Sequence, residues 1–566
     1  MIGGHTGMKK RERRTGRRAV SGVVVFALVL SSLVFLGQSQ DDTLLKIYQG
    51  IDLFGKIYRE VTLNYVDEVD PDQFIRAGID GMLKQLDPYT VYYDEREQDE
   101  IDLVTNGRYG GIGVTIGKRD GAITIINLME GYSAARQGLQ VGDRILRING
   151  VNVDSVSMDS IRELVRGVPG SEVRLQVDRE GEHAPLDFVL IREEISIQNV
   201  SYAGLADSGI GYIKLDRFSR TAGEDVRVAV KNLEAKGPLR GIILDLRGNP
   251  GGLLDMAVDV AAKFLPESSL VVSTRGRDPG SERKYVTEEY PLVPHLPLAV
   301  LVNHSSASAS EIVAGALQDL DRGVIVGTRT FGKGLVQTIT RLSQNTSLKI
   351  TTARYYTPSG RSIQAIDYAH RNEEGMPVVI PERDRKEYFT AHHRPVFSGA
   401  GILPDSVVSA ERMSEFLEAL TRKAMLFGFA NHYARTHHEL PPSFDVTDSI
   451  LADFEAYLSQ RKFEYQEEAE DLLAELAETA QQSRYGKEFL THIARLKDLV
   501  QEEKTRAVSR YRDEVRESLR EEIIGRVEGE KARIAASLPS DVQVQAAVGL
   551  LRDQRKYRTL LGGSLE

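Results

Sequence analysis

Residues 301–342 read LVNHSSASASEIVAGALQDLDRGVIVGTRTFGKGLVQTITRL. The run LAVLVN (298–303) that opens into it is apolar and ends in polar, small residues, as a buried strand does at its tip. ASEIVAGALQDL then places apolar residues at helical steps, and GVIVG is a second short apolar run. Strand, helix, strand is the repeating unit of a parallel sheet with helical crossovers. Working outward, GYIKL (211–215) and GIILDLRG (241–248) alternate with the helical patterns AGEDVRVAVKNLEAK (222–236) and LLDMAVDVAAKFL (253–265). Residues 194–409 are therefore expected to form an α/β core.

The flanks have a different texture. RYGGIGVTIG (108–117), AITIINLME (122–130), EVRLQVDRE (172–180) and LDFVLIR (186–192) are short strand-like runs broken by Gly and Asp turns, which predicts a small β-rich module over 101–193. LLKIYQGIDLFGKIYREVTLNYV (44–66) and FIRAGIDGMLKQL (74–86) have helical spacing, so 41–100 reads as a helical region. Only seven of the 50 glycines fall from Val408 onward, and stretches such as EYQEEAEDLLAELAETAQQ (464–482) are charged with apolar residues at helical steps. Residues 410–566 are expected to be helical, with a break at LPPSFDVTDS (440–449) where Thr447 or Asp448 caps the next helix. The fold class is multidomain α+β. A length of 566 residues agrees, because single cores stop growing near roughly 250–300 residues.

Composition narrows the function. Hydrophobic residues at 41% and charged ones at 27% exclude wholesale disorder and a polytopic membrane protein. A net charge of −10 argues against nucleic acid as a partner. Cysteine is absent, which removes disulfides, thiolate nucleophiles and cysteine-bound zinc. At the N-terminus KKRERRTGRR (9–18) precedes the uncharged run AVSGVVVFALVLSSLVFLG (19–37), so 1–40 reads as a signal peptide or inner-membrane anchor. The rest is then expected outside the cytoplasm, in the periplasm or cell envelope.

Three chemistries compete in 301–342. Gly327, Gly332 and Lys333 match a phosphate-binding loop, but Gly334 stands where a Ser or Thr is needed. His304 as partner in a Ser-His-acid triad lies only four residues from Ser308, and the chain has no G-x-S-x-G elbow. The third reading places a serine of SASAS at a helix N-terminus, where backbone N–H groups favour negative charge, with a lysine on a glycine-flanked loop as its base. Burial must then depress the lysine pKa, and the flanking glycines let the loop pack closely. Taken singly, Ser306 and Ser310 read as capping or packing serines and Glu311 as a first-turn residue complementing the helix dipole. Ser281 and Lys284 form a Ser-x-x-Lys pair in a polar loop, read as coincidence. The pairs His392/His393 and His437/His438 lack companion carboxylates at metal-ligand spacing, so no metal is proposed.

Together SASASEI (306–312), AGALQD (314–319) and TFGKGLVQ (330–337) resemble the signature of the carboxyl-terminal processing, or tail-specific, proteases. LNYVDEVD, DGMLKQLDPYT, ILDLRGNPGGLL, RYYTPSGRSIQ and GILPDSVV extend the resemblance over roughly 45–409. GGIGV followed by ARQGLQVGDRILRINGVNV is similar to a bacterial PDZ domain. The resemblance implies a crotonase-like protease core behind a PDZ module, with Ser308 as nucleophile, Lys333 as general base and Gln337 as assisting amide. It implies an oxyanion hole from the amides of Ala309 and of Gly251 or Gly252. Gly110, Gly111, Ile112 and Gly113 would take a peptide's terminal carboxylate, with the peptide adding to an edge strand, and Arg166 is a candidate relay of peptide occupancy. The expected partners are proteins with free C-termini, a homo-oligomer, an adaptor protein and the inner membrane; no cofactor is required. The alternative is a non-catalytic PDZ scaffold that retains the protease fold.

Overall fold

The computed structural model describes residues 42–563 except 344 and 373, so the signal or anchor expected at 1–40 lies outside the described residues. Two compact units divide at Tyr92 and Tyr93. In the first, residues 42–64 form helix α1 and Pro71–Leu83 form α2. Asp70 caps α2 by accepting from the N–H groups of Asp72 and Gln73, and Pro71 suits the first turn, where its missing N–H costs nothing. Tyr58 stacks on Phe74 at 5.8 Å.

In the second unit α3 (Gln98–Asn106) leads into β1 (Arg108–Gly111). The β-rich module is an antiparallel sheet of β2 (Val114–Arg119), β3 (Ala122–Leu128), β4 (Arg144–Ile148), β5 (Glu172–Asp178) and β6 (Leu186–Ile191), in that spatial order, with α4 (Met158–Val165) against its core. β2 is an edge strand. The last strand of the module, β7 (Glu193–Ser196), pairs with β1 and leads into the core.

The core sheet runs β8 (Val200–Asp207), β9 (Ile210–Leu215), β10 (Gly241–Asp245), β13 (Leu298–Val302), β14 (Val324–Gly327), β17 (Ser406–Val407). Only β8 is antiparallel to its neighbour. The crossovers α5 (Ala222–Glu234), α6 (Leu254–Ala262) and α7 (Ala309–Asp319) cover one face, against Ile242, Leu244, Val300 and Val302. A second sheet holds β11 (Leu270–Gly276), β12 (Arg283–Val286), β15 (Leu335–Arg341) and β16 (Ser347–Tyr356).

The C-terminal region is helical: α8 (Glu415–Arg422), α9 (Met425–Ala434), α10 (Asp448–Gln460), α11 (Glu468–Gln482), α12 (Lys487–Thr505), α13 (Arg512–Val527), α14 (Glu530–Ser537), α15 (Val542–Arg552) and α16 (Gln554–Leu560). Thr447, not Asp448, caps α10, accepting from Ile450 N–H. The packing of α15 crosses the boundary expected at 409/410. Its Val544, Ala547, Val548 and Leu551 lie on the second face of the core sheet with Tyr212, Ile243, Ala299 and Leu301. GIILD and LAVLV are buried at every position for this reason, since strands covered on both faces do not alternate. Among the described residues no single helix is long and apolar enough to cross a membrane.

Candidate active site

Ser308 sits at the N-cap of α7 with φ 56° and ψ −113°. A non-glycine residue in that region carries roughly 1–3 kcal/mol of strain, which persists only where surrounding contacts over-determine it. Those contacts are present. Ser306 Oγ donates to Leu246 O at 2.8 Å, Ser310 Oγ to Asn249 O at 2.9 Å, and Ala307 N–H to Asn249 O at 3.1 Å. The serines flanking Ser308 thus pin it to Leu246 and the RGNPGG loop, filling the packing role of the two expected of them.

Glu311 is wholly buried, and four donors converge on it. Oε1 accepts from Thr330 Oγ1 at 2.6 Å and Gly332 N–H at 2.7 Å; Oε2 accepts from Ser308 N–H at 2.8 Å and Lys333 N–H at 2.9 Å. One oxygen therefore ties the backbone of the serine to that of the lysine 25 positions later in the chain. Burial pushes the Glu311 pKa up to about 7, against the pull of these hydrogen bonds. First-turn placement was legible in sequence; this coupling was not. The available signal is a lone charge in an eleven-residue helix otherwise small, apolar or amide-bearing until its last position, because a helix with no polar face is buried all round.

The Lys333 loop is walled closely. Gly332 has φ 88°, and a Cβ there would lie 2.4 Å from Ala365 Cβ; one on Gly334 would lie 2.8 Å from Gln364 N. Gly334 N–H donates to Gln364 Oε1 at 2.7 Å, Ala365 N–H donates to Gly332 O at 2.9 Å, and the Tyr355 hydroxyl donates to the carbonyls of Ser308 and Lys333. Lys333 is followed by β15 rather than a helix, which removes the phosphate-loop reading. Gln337 lies half-buried on β15, its Nε2 3.2 Å from Thr351 Oγ1, next to a register shift between Val336 and Gln337 of the kind that re-aims side chains.

Opposite the serine, a Cβ on Gly251 would approach Ser308 Cβ and Ala309 N to 2.9 Å each, so the loop closes on Ser308 only because the residue is glycine. Gly251 N–H already donates to Asn249 Oδ1 at 2.8 Å. The N–H groups of Ala309 and Gly252 have no acceptor among the described residues. His304 is exposed and packs on Phe331 at 5.7 Å between ring centroids. Ser281 lies in an exposed turn, its hydroxyl donating to Asp278 O, and Lys284 is exposed on β12.

In the β-rich module Gly110 and Gly111 end β1, Ile112 is buried, and Gly113 adopts φ 79° to turn into edge strand β2. Ile112 and Gly113 N–H lack acceptors among the described residues. Arg166, the C-cap of α4, lies 4.8 Å from the centre of the Tyr109 ring on β1. Burial raises the pKa of Tyr109, with Arg166 and Arg217 pulling the other way. Arg217 directly precedes Phe218, whose N–H donates to Gly251 O.

Family models match the chain in four places: "Peptidase family S41" over 209–369, "PDZ domain" over 100–178, "Probable PDZ-protease, C-terminal helical domain" over 416–551, and "Activating protease CtpB N-terminal domain" over 36–97. These define a serine-type peptidase carrying a PDZ domain. The Carboxy-terminal-processing protease of Bartonella bacilliformis is 37% identical over 353 residues, 62% of this chain and 81% of the relative. The Carboxyl-terminal-processing protease of Synechocystis sp. is 34% identical over 397 residues, 66% of this chain and 90% of that one. Among solved structures, a photosystem II D1 C-terminal processing protease aligns over 63% of this chain and 92% of its own at 26% identity, with a TM-score of 0.34. The chain belongs to the carboxy-terminal-processing protease family.

Proposed function

We propose that the chain is a cell-envelope endopeptidase that takes protein C-termini on its PDZ domain and cleaves them with a Ser308–Lys333 dyad. The observation that carries this reading is the shared Glu311 oxygen, which joins the backbone of a strained serine to that of a glycine-flanked lysine. Neutral Lys333 takes the Ser308 hydroxyl proton as Oγ bonds to the substrate carbonyl carbon. The C–N bond then breaks, the lysine ammonium protonates the leaving amine, and an acyl-enzyme ester remains. Lys333 next deprotonates water, which attacks the ester carbon; the C–Oγ bond breaks, the lysine ammonium returns its proton to Ser308 Oγ, and the new C-terminus is released. The amides of Ala309 and Gly252 hold the oxyanion; Gly251, whose N–H is engaged by Asn249, supplies the close approach. Gln337 orients the lysine amine. The substrate carboxylate binds the N–H groups of Ile112 and Gly113 in the glycine loop, and the preceding residues pair with β2.

The basic run at 9–18 followed by the apolar run at 19–37 supports export, with 1–40 as signal or inner-membrane anchor. The exposed Leu44, Ile47, Ile51 and Ile57 on α1 support a homo-oligomer, and the helical C-terminal region suits an adaptor. The test compares wild type, Ser308→Ala and Lys333→Ala on a fluorescence-quenched unstructured peptide with a free C-terminus and on its C-terminal amide. Both variants should lose turnover and the amide should be cut more slowly. Undiminished cleavage by Ser308→Ala overturns the mechanism, and indifference to amidation overturns the PDZ role.

A further inference from the structure

The RGNPGG loop is held by residues of the core at nearly every step. Leu246 O accepts from Ser306, Gly248 N–H donates to Asn303 Oδ1 at 3.0 Å, and Asn249 Nδ2 donates to Leu215 O at 2.8 Å. Arg247 is different. One edge of its guanidinium and its backbone N–H bind Asp245, which is wholly buried at the end of β10 and also accepts from Tyr212 at 2.6 Å. Burial alone would raise the Asp245 pKa, but Lys214 and Arg247 overcome it and hold the carboxylate ionised below its usual range. The other edge turns away from the core. Arg247 Nη1 lies 2.8 Å from Asp541 Oδ2 and 2.8 Å from Gln543 Oε1, 294 and 296 residues further along the chain. Gln543 Nε2 in turn donates to Val408 O at 2.6 Å.

Asp541 has two tasks at once. As N-cap of α15 its Oδ1 accepts from the N–H groups of Gln543 and Val544, and the same oxygen accepts from Arg247 Nη1 at 3.1 Å while Oδ2 lies 2.8 Å from that nitrogen. Because α15 packs on the core sheet through Val544, Ala547 and Leu551, the carboxylate is fixed relative to that sheet, not carried on a loose arm. A bidentate arginine held at both edges has its plane and depth fixed. Its backbone is the residue before Gly248, four positions ahead of Gly251 and five ahead of Gly252.

We propose that Asp541, from the C-terminal helical region, is a positioning residue for the oxyanion loop: through Arg247 it sets how deeply that loop sits against Ser308. The catalytic unit is then complete only when α15 is docked, which makes residues from distant parts of the chain joint determinants of turnover. This rests on the oxyanion reading above, so the test separates the two.

Asp541→Ser keeps an N-cap oxygen for α15 but is too short to reach the guanidinium, and Asp541→Glu keeps the charge. The full-length protein is assayed on the quenched peptide with Ser308→Ala as control. Removing an oxyanion donor outright costs about 10²–10³-fold in kcat; Arg247 keeps Asp245 and Gln543, so Asp541→Ser is expected to lose about tenfold in kcat. KM should stay within twofold and the thermal midpoint should not move, and Asp541→Glu should recover at least half of the wild-type kcat. An inactive Ser308→Ala with Asp541→Ser at full kcat overturns this proposal alone. So does a loss accompanied by a fallen midpoint or one that appears in KM, since both mark a purely structural contact. An active Ser308→Ala overturns the mechanism on which the proposal stands.

Discussion

Replacing Glu311 with glutamine should slow the enzyme and remove a pH dependence of its stability, and both effects follow from four hydrogen bonds. The side-chain amide of Glu311→Gln has one acceptor oxygen where the carboxylate has two. If its NH2 takes the place of Oε2, it faces two donors, Ser308 N–H and Lys333 N–H; if it takes the place of Oε1, it faces Gly332 N–H and the Thr330 hydroxyl, which can rotate to accept. The second arrangement costs less and still strands one buried N–H, at about 1–3 kcal/mol. If that energy is relieved by movement of the Lys333 loop, kcat falls about 10- to 100-fold. The native carboxyl pKa is raised from 4.5 to about 7 by burial, so between those values the folded protein holds a proton that the unfolded chain has released. The stabilisation is complete below the lower value and is lost as pH rises through the upper one, a total of about 3 kcal/mol. Glutamine does not titrate, so the difference between wild type and Glu311→Gln should shrink by that amount from about pH 4.5 to about pH 8.5. Peptide kinetics at about pH 8 and urea unfolding of the core across that range check the two effects. A variant with kcat within twofold of wild type, or with the same stability slope as wild type, would refute the reasoning.

Gly251→Ala places a methyl 2.9 Å from Ser308 Cβ on a residue at φ 101°, so it should lose more than about 10²-fold in kcat with the PDZ domain still folded, as peptide turnover and peptide binding together would show. Arg361 is wholly buried, with its Nη2 2.7 Å from Asp319 Oδ1 and 2.7 Å from Gln318 Oε1 at the C-terminal end of α7. Arg361→Met leaves the Asp319 charge uncompensated, so core stability should fall by about 3–5 kcal/mol, seen as a lowered urea midpoint, and an unmoved midpoint would contradict this account.

Local pattern determined a great deal of this molecule. The runs GIILD and LAVLV announced buried strands of an α/β core, the helical spacing of 309–319 announced a crossover, and the family resemblance carried by SASASEI and TFGKGLVQ singled out Ser308 and Lys333. These features are legible because they are short in sequence: a strand, a helix cap and a glycine turn each depend on residues within a few positions. Only the tertiary structure decided what those candidates touch. Glu311 looks like any first-turn acid until Gly332 and Lys333 arrive from another loop to share its oxygens. Arg247 looks like a solvated loop cation until Asp541 reaches it from 294 residues away. The second cover of the core sheet, α15, is likewise written in a helical region that periodicity alone assigns to a separate domain. Hydrogen bonds and apolar contacts between distant segments have no sequence period, since their partners are chosen by the closed shape of the chain and not by spacing along it.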